Sequence, residues 1–116
     1  MSRRSAERGG RKAEAKAALW LQIKGWRILG RRVRTPVGEV DLVARRGRVV
    51  AFVEVKARAT LAEADHSLDE YRLRRVAAAA EALAHRYAAP ADDIRIDAMF
   101  IVPRRLPRHV ENVWHG

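Results

Sequence analysis

The stretch of sequence that decides the fold runs from Val49 to Ala57 and reads VVAFVEVKA. Its beginning is apolar at odd and even positions alike, which is typical of a strand buried on both faces at the centre of a sheet. Side chains alternate along a strand, so Glu54 and Lys56 point to one face and Val53 to the other. The sequence therefore predicts a central strand that carries two opposite charges on one face.

A hairpin is predicted just before this strand. The residues Thr-Pro-Val-Gly at 35–38 place Pro and Gly where a tight turn favours them. A polar turn at 45–48 then sets the strand at 40–44 antiparallel to the central strand. Asp41 is thereby expected near Glu54 and Lys56, and Glu39 shares the face of Asp41 by the same alternation.

The rest of the chain predicts helices on either side of the sheet. Apolar residues at helical spacing indicate a first helix, and Ser67 with Glu70 forms a capping-box pattern that opens a longer one. The last strand follows a helical crossover, so it is expected to lie parallel to the central strand. The predicted elements are helices at 11–24 and 67–90 and strands at 26–34, 40–44, 49–57 and 94–102.

The chain of 116 residues is long enough for one domain with a single core. Residues 1–10 lack apolar periodicity and are expected to form a flexible basic arm, which leaves residues 11–116 as the folded domain. There is no Cys, so disulfides, cysteine-zinc sites and thiol nucleophiles are excluded. No signal-like or membrane-spanning apolar run is present, and we expect a cytoplasmic protein with no membrane partner.

The net charge of +10 favours contact with a polyanion, nucleic acid first and an anionic membrane surface second. A basic surface that only keeps the protein in solution is the alternative. Clustering of the basic residues favours a binding face over an even spread. The predicted nucleic-acid contacts are Arg31, Arg32, Arg34, Arg58, Arg72 and Arg75.

Asp41, Glu54 and Lys56 together suit metal-assisted hydrolysis of a phosphodiester. Carboxylate oxygens are the ligands that Mg²⁺ prefers, and water and phosphate oxygens usually complete its coordination. Lys56 beside the metal could orient or deprotonate the attacking water, or neutralise charge that builds up on the phosphate. The alternative is an ordinary ion pair between Glu54 and Lys56 on a surface strand.

Glu14 is a further candidate, since helical spacing places it on the apolar face of the first helix with Ala17, Ala18 and Leu21. The alternative is a first-turn acid that complements the helix dipole. Asp97, beside Arg95 in the last strand, suits a structural role as well as a catalytic one.

These motifs resemble a known family. Gly-Glu-Val-Asp at 38–41 followed by Phe-Val-Glu-Val-Lys at 52–56 resembles the D…ExK signature of restriction-endonuclease-like nucleases, and more narrowly the YraN-like family of bacterial proteins. The resemblance extends over nearly the whole chain, through Glu14, Trp26, Asp97 and His109 among other positions. One departure is Arg72, which stands where a Lys is common in the family, and Arg and Lys are not equivalent phosphate contacts.

The resemblance implies a single-domain α/β fold, a restriction-endonuclease-like α-β-β-β-α-β core with a central mixed sheet flanked by helices, related to Holliday-junction resolvases. It implies Asp41 and Glu54 as ligands of Mg²⁺ or Mn²⁺, Lys56 as the catalytic lysine and Glu14 as an accessory acid. Glu39 is expected to support the site without binding the metal. The implied activity is an endonuclease that cuts DNA, branched or junction DNA included.

Other readings stay open. A nucleic-acid-binding module that keeps the nuclease fold without turnover predicts the same salt-sensitive binding. A basic protein that only scaffolds a ribosome or a membrane predicts no effect of changing Asp41, Glu54 or Lys56. Resolvase-like enzymes must cut two strands, so a homodimer is expected by analogy alone.

Overall fold

The computed structural model describes residues 3–115, and it describes side chains from residue 10 onward. The elements in that part of the chain contain the predicted order α-β-β-β-α-β, with a short additional helix and a short additional strand. In chain order they are α1 (Arg3–Ile23), β1 (Arg27–Thr35), β2 (Gly38–Arg46), β3 (Val49–Ala57), α2 (Leu61–Asp65), α3 (Glu70–Tyr87), β4 (Asp93–Ile101) and β5 (Arg108–Val110).

The five strands form one mixed sheet in the order β1-β2-β3-β4-β5. β3 lies at its centre, antiparallel to β2 and parallel to β4, and β1 and β5 pair antiparallel at the two edges. The crossover from β3 to β4 contains α2 and α3, which gives the chain length that a parallel pair requires. The predicted α/β class, the central strand and the parallel β3–β4 pair are confirmed.

The sheet is covered on both faces. On one face Leu42, Ala51 and Met99 pack against an alanine-rich side of α1, whose small side chains let the helix approach the strands closely. On the other face Val50 and Phe52 pack against α3. Each large apolar side chain that is fully buried contributes about 1.5–3 kcal/mol. Because alternate β3 residues belong to opposite cores, the strand is held in one register.

The ends of the helices differ from the sequence-based prediction. The backbone of α1 begins at Arg3, so it extends into the segment 1–10 for which the sequence predicts a flexible arm. Met1 and Ser2 lie outside the described residues, and both the flexibility of this segment and the boundary at residue 11 stay predictions. Within the described residues, no helix combines the length and the apolar character that a bilayer crossing requires.

The predicted capping box is wrong. The N-cap of α3 is Asp69, whose side chain accepts a hydrogen bond from the N–H of Arg72. Ser67 instead donates its hydroxyl to the carbonyl of Ala64 at the end of α2, a short helix that the sequence pattern does not reveal. Ser and Asp are both favourable N-cap residues, so residue type alone does not distinguish Ser67 from Asp69.

The edge strand β1 is irregular. Its register with β2 shifts between Ile28 and Gly30, as at a β-bulge. Gly30 is needed there, because a Cβ at this position would lie 2.9 Å from the hydroxyl of Tyr87 and from a methyl group of Val33. Further along, Arg32 adopts a left-handed backbone with φ of 50°.

The candidate site lies where the pairing of β2 with β3 ends. Their register runs from Arg46–Val49 to Leu42–Val53 and ends there. One step further, the side chain of Asp41 takes the place of a backbone partner and accepts a hydrogen bond of 2.8 Å from the N–H of Val55. Asp41 is thus held beside the strand that carries Glu54.

Candidate active site

A cleft of about 430 Å³ opens between the start of β2, the middle of β3 and the first turns of α3. Acidic and basic side chains face each other across it. Its lining residues are Gly38, Glu39, Glu54, Asp69, Tyr71, Arg72, Arg75 and Val76.

Glu54 lies at the base of this cleft and is 1% exposed. Its Oε1 accepts a hydrogen bond of 2.8 Å from Nε of Arg72 and lies 3.1 Å from Nζ of Lys56, which is itself buried. Strand alternation places Glu54 and Lys56 on the face that α3 covers, and Arg72 reaches them from the first turns of that helix. A buried charge is costly unless it is paired, so this group is not the simple surface ion pair of the alternative interpretation.

Asp41 is electrostatically linked to this group. The pKa of Asp41 is raised from its usual 3.8 to about 7, mainly by burial and next by the negative charge of Glu54, and the hydrogen bond from Val55 opposes both. A smaller contribution comes from Glu14. The carboxylates predicted as metal ligands therefore lie close enough to repel each other.

Glu14 reaches the same region from α1. Its Oε2 accepts a hydrogen bond of 2.6 Å from Nε of Arg32, and its side chain is 16% exposed. The left-handed backbone of Arg32 lies on β1 between the paired residues Arg31 and Val33. A non-glycine residue in this conformation is uncommon and costs of the order of 1 kcal/mol, so the surrounding contacts must stabilise it.

Glu39 lies at the rim of the cleft. It accepts a hydrogen bond of 3.2 Å from Arg34, and both side chains are exposed. Exposed pairs of this kind contribute little to stability. Its predicted supporting role stays a prediction, and its position among the lining residues is consistent with one.

The six predicted nucleic-acid arginines do not form one surface. Arg32 and Arg72 bind carboxylates of the site, and Arg75 lines the cleft beside Arg72. Arg31 and Arg34 are exposed on β1, whereas Arg58 lies outside the cleft in a groove beside α1. Contacts of all six with nucleic acid stay predictions.

The donor atoms of Asp41 and Glu54 fit a hard divalent cation. Two cationic groups contact Oε1 of Glu54, and Val55 bonds Oδ2 of Asp41. Among the described residues no hydrogen bond falls on the second oxygen of either carboxylate. No group of three or more acidic or histidine side chains in that part of the chain has metal-binding geometry, so water and substrate oxygens would supply the other ligands, as Mg²⁺ usually requires.

Asp41 gives the metal-free protein a pH-dependent stability. A carboxyl with a folded pKa of about 7 and an ordinary value of 3.8 contributes stability that is complete below about pH 4 and lost as the pH rises through 7. We expect Asp41→Asn to lack this loss, so the free energy of unfolding of the variant relative to that of the wild type should increase between about pH 5 and about pH 8. Urea denaturation in EDTA measures it, and parallel pH profiles would contradict the raised pKa.

A second polar cluster lies on the opposite face of the sheet. Asp97 is fully buried there and accepts hydrogen bonds from Nη2 of Arg95 at 2.9 Å and from the backbone N–H of Asn112 at 2.9 Å. Nε2 of His109 lies 2.7 Å from Oδ2 of the same carboxylate. Because Met99, next on that face of β4, packs against α1, this cluster is separated from the cleft and supports a structural role for Asp97.

Sequence reasoning missed the partners of several site residues. It assigned Arg72 to DNA, whereas this side chain binds Glu54, and it gave Glu14 no partner, whereas Arg32 binds it. For Asp97 the signal was Arg95 two residues before it, since strand alternation places both on one face.

The sequence matches the "Uncharacterised protein family UPF0102" over residues 13–101, which is more than half of the chain. The chain belongs to this family. A UPF0102 protein of Sphingopyxis alaskensis is 65% identical over 114 residues, covering 98% of each chain, and one of Erythrobacter litoralis is 61% identical with the same coverage. The suspected YraN-like family is thereby confirmed.

A solved structure with a similar fold is that of Archaeoglobus fulgidus Hjc, a Holliday junction resolvase from an archaeal hyperthermophile. The match has a TM-score of 0.59 and covers 84% of this chain and 72% of that chain at 20% sequence identity. Identity at this level supports the shared fold alone. The restriction-endonuclease-like fold implied by the motifs is confirmed.

Proposed function

We propose that this protein is a metal-dependent endonuclease that hydrolyses phosphodiester bonds of DNA, with branched or junction DNA as its substrate. The observation that carries the proposal is the buried Glu54–Lys56 pair beside Asp41, whose pKa is raised by burial first and by the nearby carboxylate of Glu54 second. Two carboxylates that repel each other lower the stability of the fold, but next to an amine they are suited to binding a divalent ion and a phosphate. The fold of a Holliday junction resolvase adds support.

Each residue of the cleft has a distinct role in this proposal. Asp41 and Glu54 would hold Mg²⁺ or Mn²⁺, which would supply positive charge at the phosphate and lower the pKa of the attacking water. Lys56, fixed 3.1 Å from Glu54, donates its N–H groups to the reacting phosphate and its attacking water. In a buried site this electrostatic effect is stronger than it would be in water.

Arg72 and Glu14 act around this centre. The side chain of Arg72 is 56% exposed although its Nε binds Glu54, so part of the guanidinium faces solvent and can take a phosphate oxygen. Arg32 holds Glu14 in place, and the negative charge of Glu14 near Asp41 favours a cation there. The exposed arginines at the rim contact the phosphates of the flanking DNA, and a homodimer would present two such clefts to two strands.

Metal-dependent cleavage is the direct test. Purified wild type should cut branched DNA with Mg²⁺ or Mn²⁺ and should not cut it in EDTA. Asp41→Asn should lower the cleavage rate at least about a hundredfold with the fold intact. Flap, four-way, single-stranded and RNA substrates should be compared, and absence of cleavage of all of them with either metal would refute the proposal.

A non-catalytic nucleic-acid-binding module is the second candidate. The observation that favours it is that Lys56 and Arg72 already neutralise Glu54 without a metal. This candidate predicts salt-sensitive binding of wild type to DNA with no cleavage and no effect of Asp41→Asn on affinity. The nuclease predicts cleavage that depends on both the metal and Asp41.

A further inference from the structure

Two grooves join on the α1 side of the sheet. One, of about 340 Å³, lies between the middle of α1 and the end of β3, and the other, of about 240 Å³, lies between the second half of α1 and the segment after β4. They share Lys16 and Ile101 and so form one surface. We call it the α1 groove, and its polar and aromatic lining comprises Lys12, Lys16, Trp20, Arg58, Arg104 and Arg105.

The charge of the α1 groove is of one sign. Five of its side chains are cationic, and none of the described residues that line it is acidic. The cleft differs, because Glu39, Glu54 and Asp69 balance its arginines. A row of uncompensated cations along a groove is complementary to a phosphate backbone.

The groove also has an apolar part. Leu19 and Ile23 are 58% and 66% exposed beside the half-buried ring of Trp20, and Nζ of Lys24 lies 4.8 Å from the centre of that ring. Exposed apolar and aromatic groups next to cations suit a strand whose bases are unpaired, because the bases stack or pack while the phosphates meet the charges. A duplex buries its bases and would leave these side chains without a contact.

Backbone strain coincides with the groove. Arg104 adopts a left-handed conformation with φ of 65° in the turn where the N–H of Arg105 bonds the carbonyl of Val102. Strain of this kind is concentrated at functional sites. A glycine would adopt the conformation without strain, so an arginine here indicates a use for its side chain.

The α1 groove and the cleft are both lined by residues of β3. Glu54 is the last β3 residue that lines the cleft, and Ala57 is the first that lines the groove, three positions further on. The backbone N–H of Arg58 donates to the carbonyl of Ile101, which joins the end of β3 to the end of β4. Three residues of strand span about 10 Å, so a DNA strand can pass from the cleft to the groove round the end of β3.

We propose that the α1 groove binds an unpaired strand of the DNA substrate. The role of this strand in cleavage rests on the proposed function. Together with that function, binding in the groove specifies the substrate as branched DNA with a single-stranded arm. The strand follows the basic residues from Arg58 to Arg105, and its bases pack on Trp20 and its apolar neighbours.

The binding test is made in EDTA, where cleavage plays no part. Fluorescence anisotropy compares a labelled thymidine oligonucleotide with a blunt duplex for wild type, Lys16→Glu and Arg104→Gly. Both variants should bind the oligonucleotide about tenfold more weakly and the duplex within about threefold of wild type. Arg104→Gly should keep or raise the melting temperature, since it removes strain.

The matched control is Arg86→Glu, which reverses an exposed charge in the last turn of α3, on the other side of the sheet. It should leave binding of the oligonucleotide unchanged. Equal weakening by Arg86→Glu, equal loss for the duplex, or no loss with Lys16→Glu and Arg104→Gly would each overturn the proposal.

Cleavage assays separate this proposal from the proposed function. With Mn²⁺, Arg104→Gly should lower kcat/KM for a flap substrate and leave that for a fully duplex four-way junction unchanged. If wild type binds the oligonucleotide through the groove and cuts nothing, the proposed function fails while the binding site stands. If wild type cuts and both groove variants cut flaps equally well, the groove proposal fails alone.

Discussion

Lys56→Met is expected to lower the rate constant of metal-dependent DNA cleavage by about 10²- to 10⁴-fold, the usual effect of removing a positioned acid–base or electrostatic group. Methionine matches the apolar stem of the buried lysine up to Cε and removes the ammonium group beside Glu54. The partner carboxylate still has Arg72 at 2.8 Å, so it is not left as an unpaired buried charge. Single-turnover cleavage of a labelled flap or junction measures the effect, with KM expected to change little.

The control for this change is Arg48→Met. It removes one cation from the exposed turn between β2 and β3, at the end of the hairpin away from Lys56. Cleavage by this variant should stay close to wild type at low salt. A Lys56→Met protein that folds normally and cuts within about threefold of wild type would remove Lys56 from the mechanism.

Asp97→Ala is expected to lower the free energy of unfolding by about 3–5 kcal/mol, because the donors around this fully buried carboxylate lose their acceptor, at about 1–3 kcal/mol for each buried one, and the half-buried Arg95 keeps only Glu111 at 3.5 Å. It also removes the acceptor of the Asn112 N–H and the partner of His109. For a domain whose total stability is about 5–15 kcal/mol this is a large share. Urea denaturation at neutral pH measures it.

Asp65→Ala is the matched control, since the exposed pair of Asp65 with Arg108 at 2.8 Å should contribute at most about 1 kcal/mol. A loss for Asp97→Ala no greater than for this control would contradict the role of the buried cluster.

A low pH should also destabilise the protein through Asp97. Burial alone would raise the pKa of Asp97, but hydrogen bonds from His109, Arg95 and Asn112 outweigh burial and lower the pKa. The ionised carboxylate therefore stabilises the fold above the usual pKa of an aspartate, and this stability is lost as the pH falls through the lowered pKa.

The centre of the fold could be predicted because its causes are local. The apolar run from Val49 to Val53 requires burial on both faces, and alternation alone places Glu54 and Lys56 together. The hairpin turns then bring Asp41 alongside. All of these inferences use residues within about fifteen positions of each other, where strand geometry leaves few choices.

The contacts that complete the site depend on tertiary structure. Glu54 and Arg72 are 18 positions apart, as are Glu14 and Arg32, and each pair needs a helix docked on the sheet at one particular height. Strand alternation and helical periodicity predict the face on which a carboxylate lies, but they do not predict which arginine side chain reaches that carboxylate. The spacing of the histidines predicts no partner for His109, and its partner in the fold is the carboxylate of Asp97 on another strand.

The edges of the sheet bear on how copies of the protein meet. A regular edge strand exposes a row of free N–H and C=O groups that another strand can join, which leads to fibrils and to uncontrolled assembly. Here β1 combines a register shift and a left-handed residue with charged side chains, and β5 at the other edge is three residues long. Strand addition is hindered at both ends, so we expect the protein to remain dispersed at high concentration and any pairing of copies to use helices and loops in place of a continuous sheet.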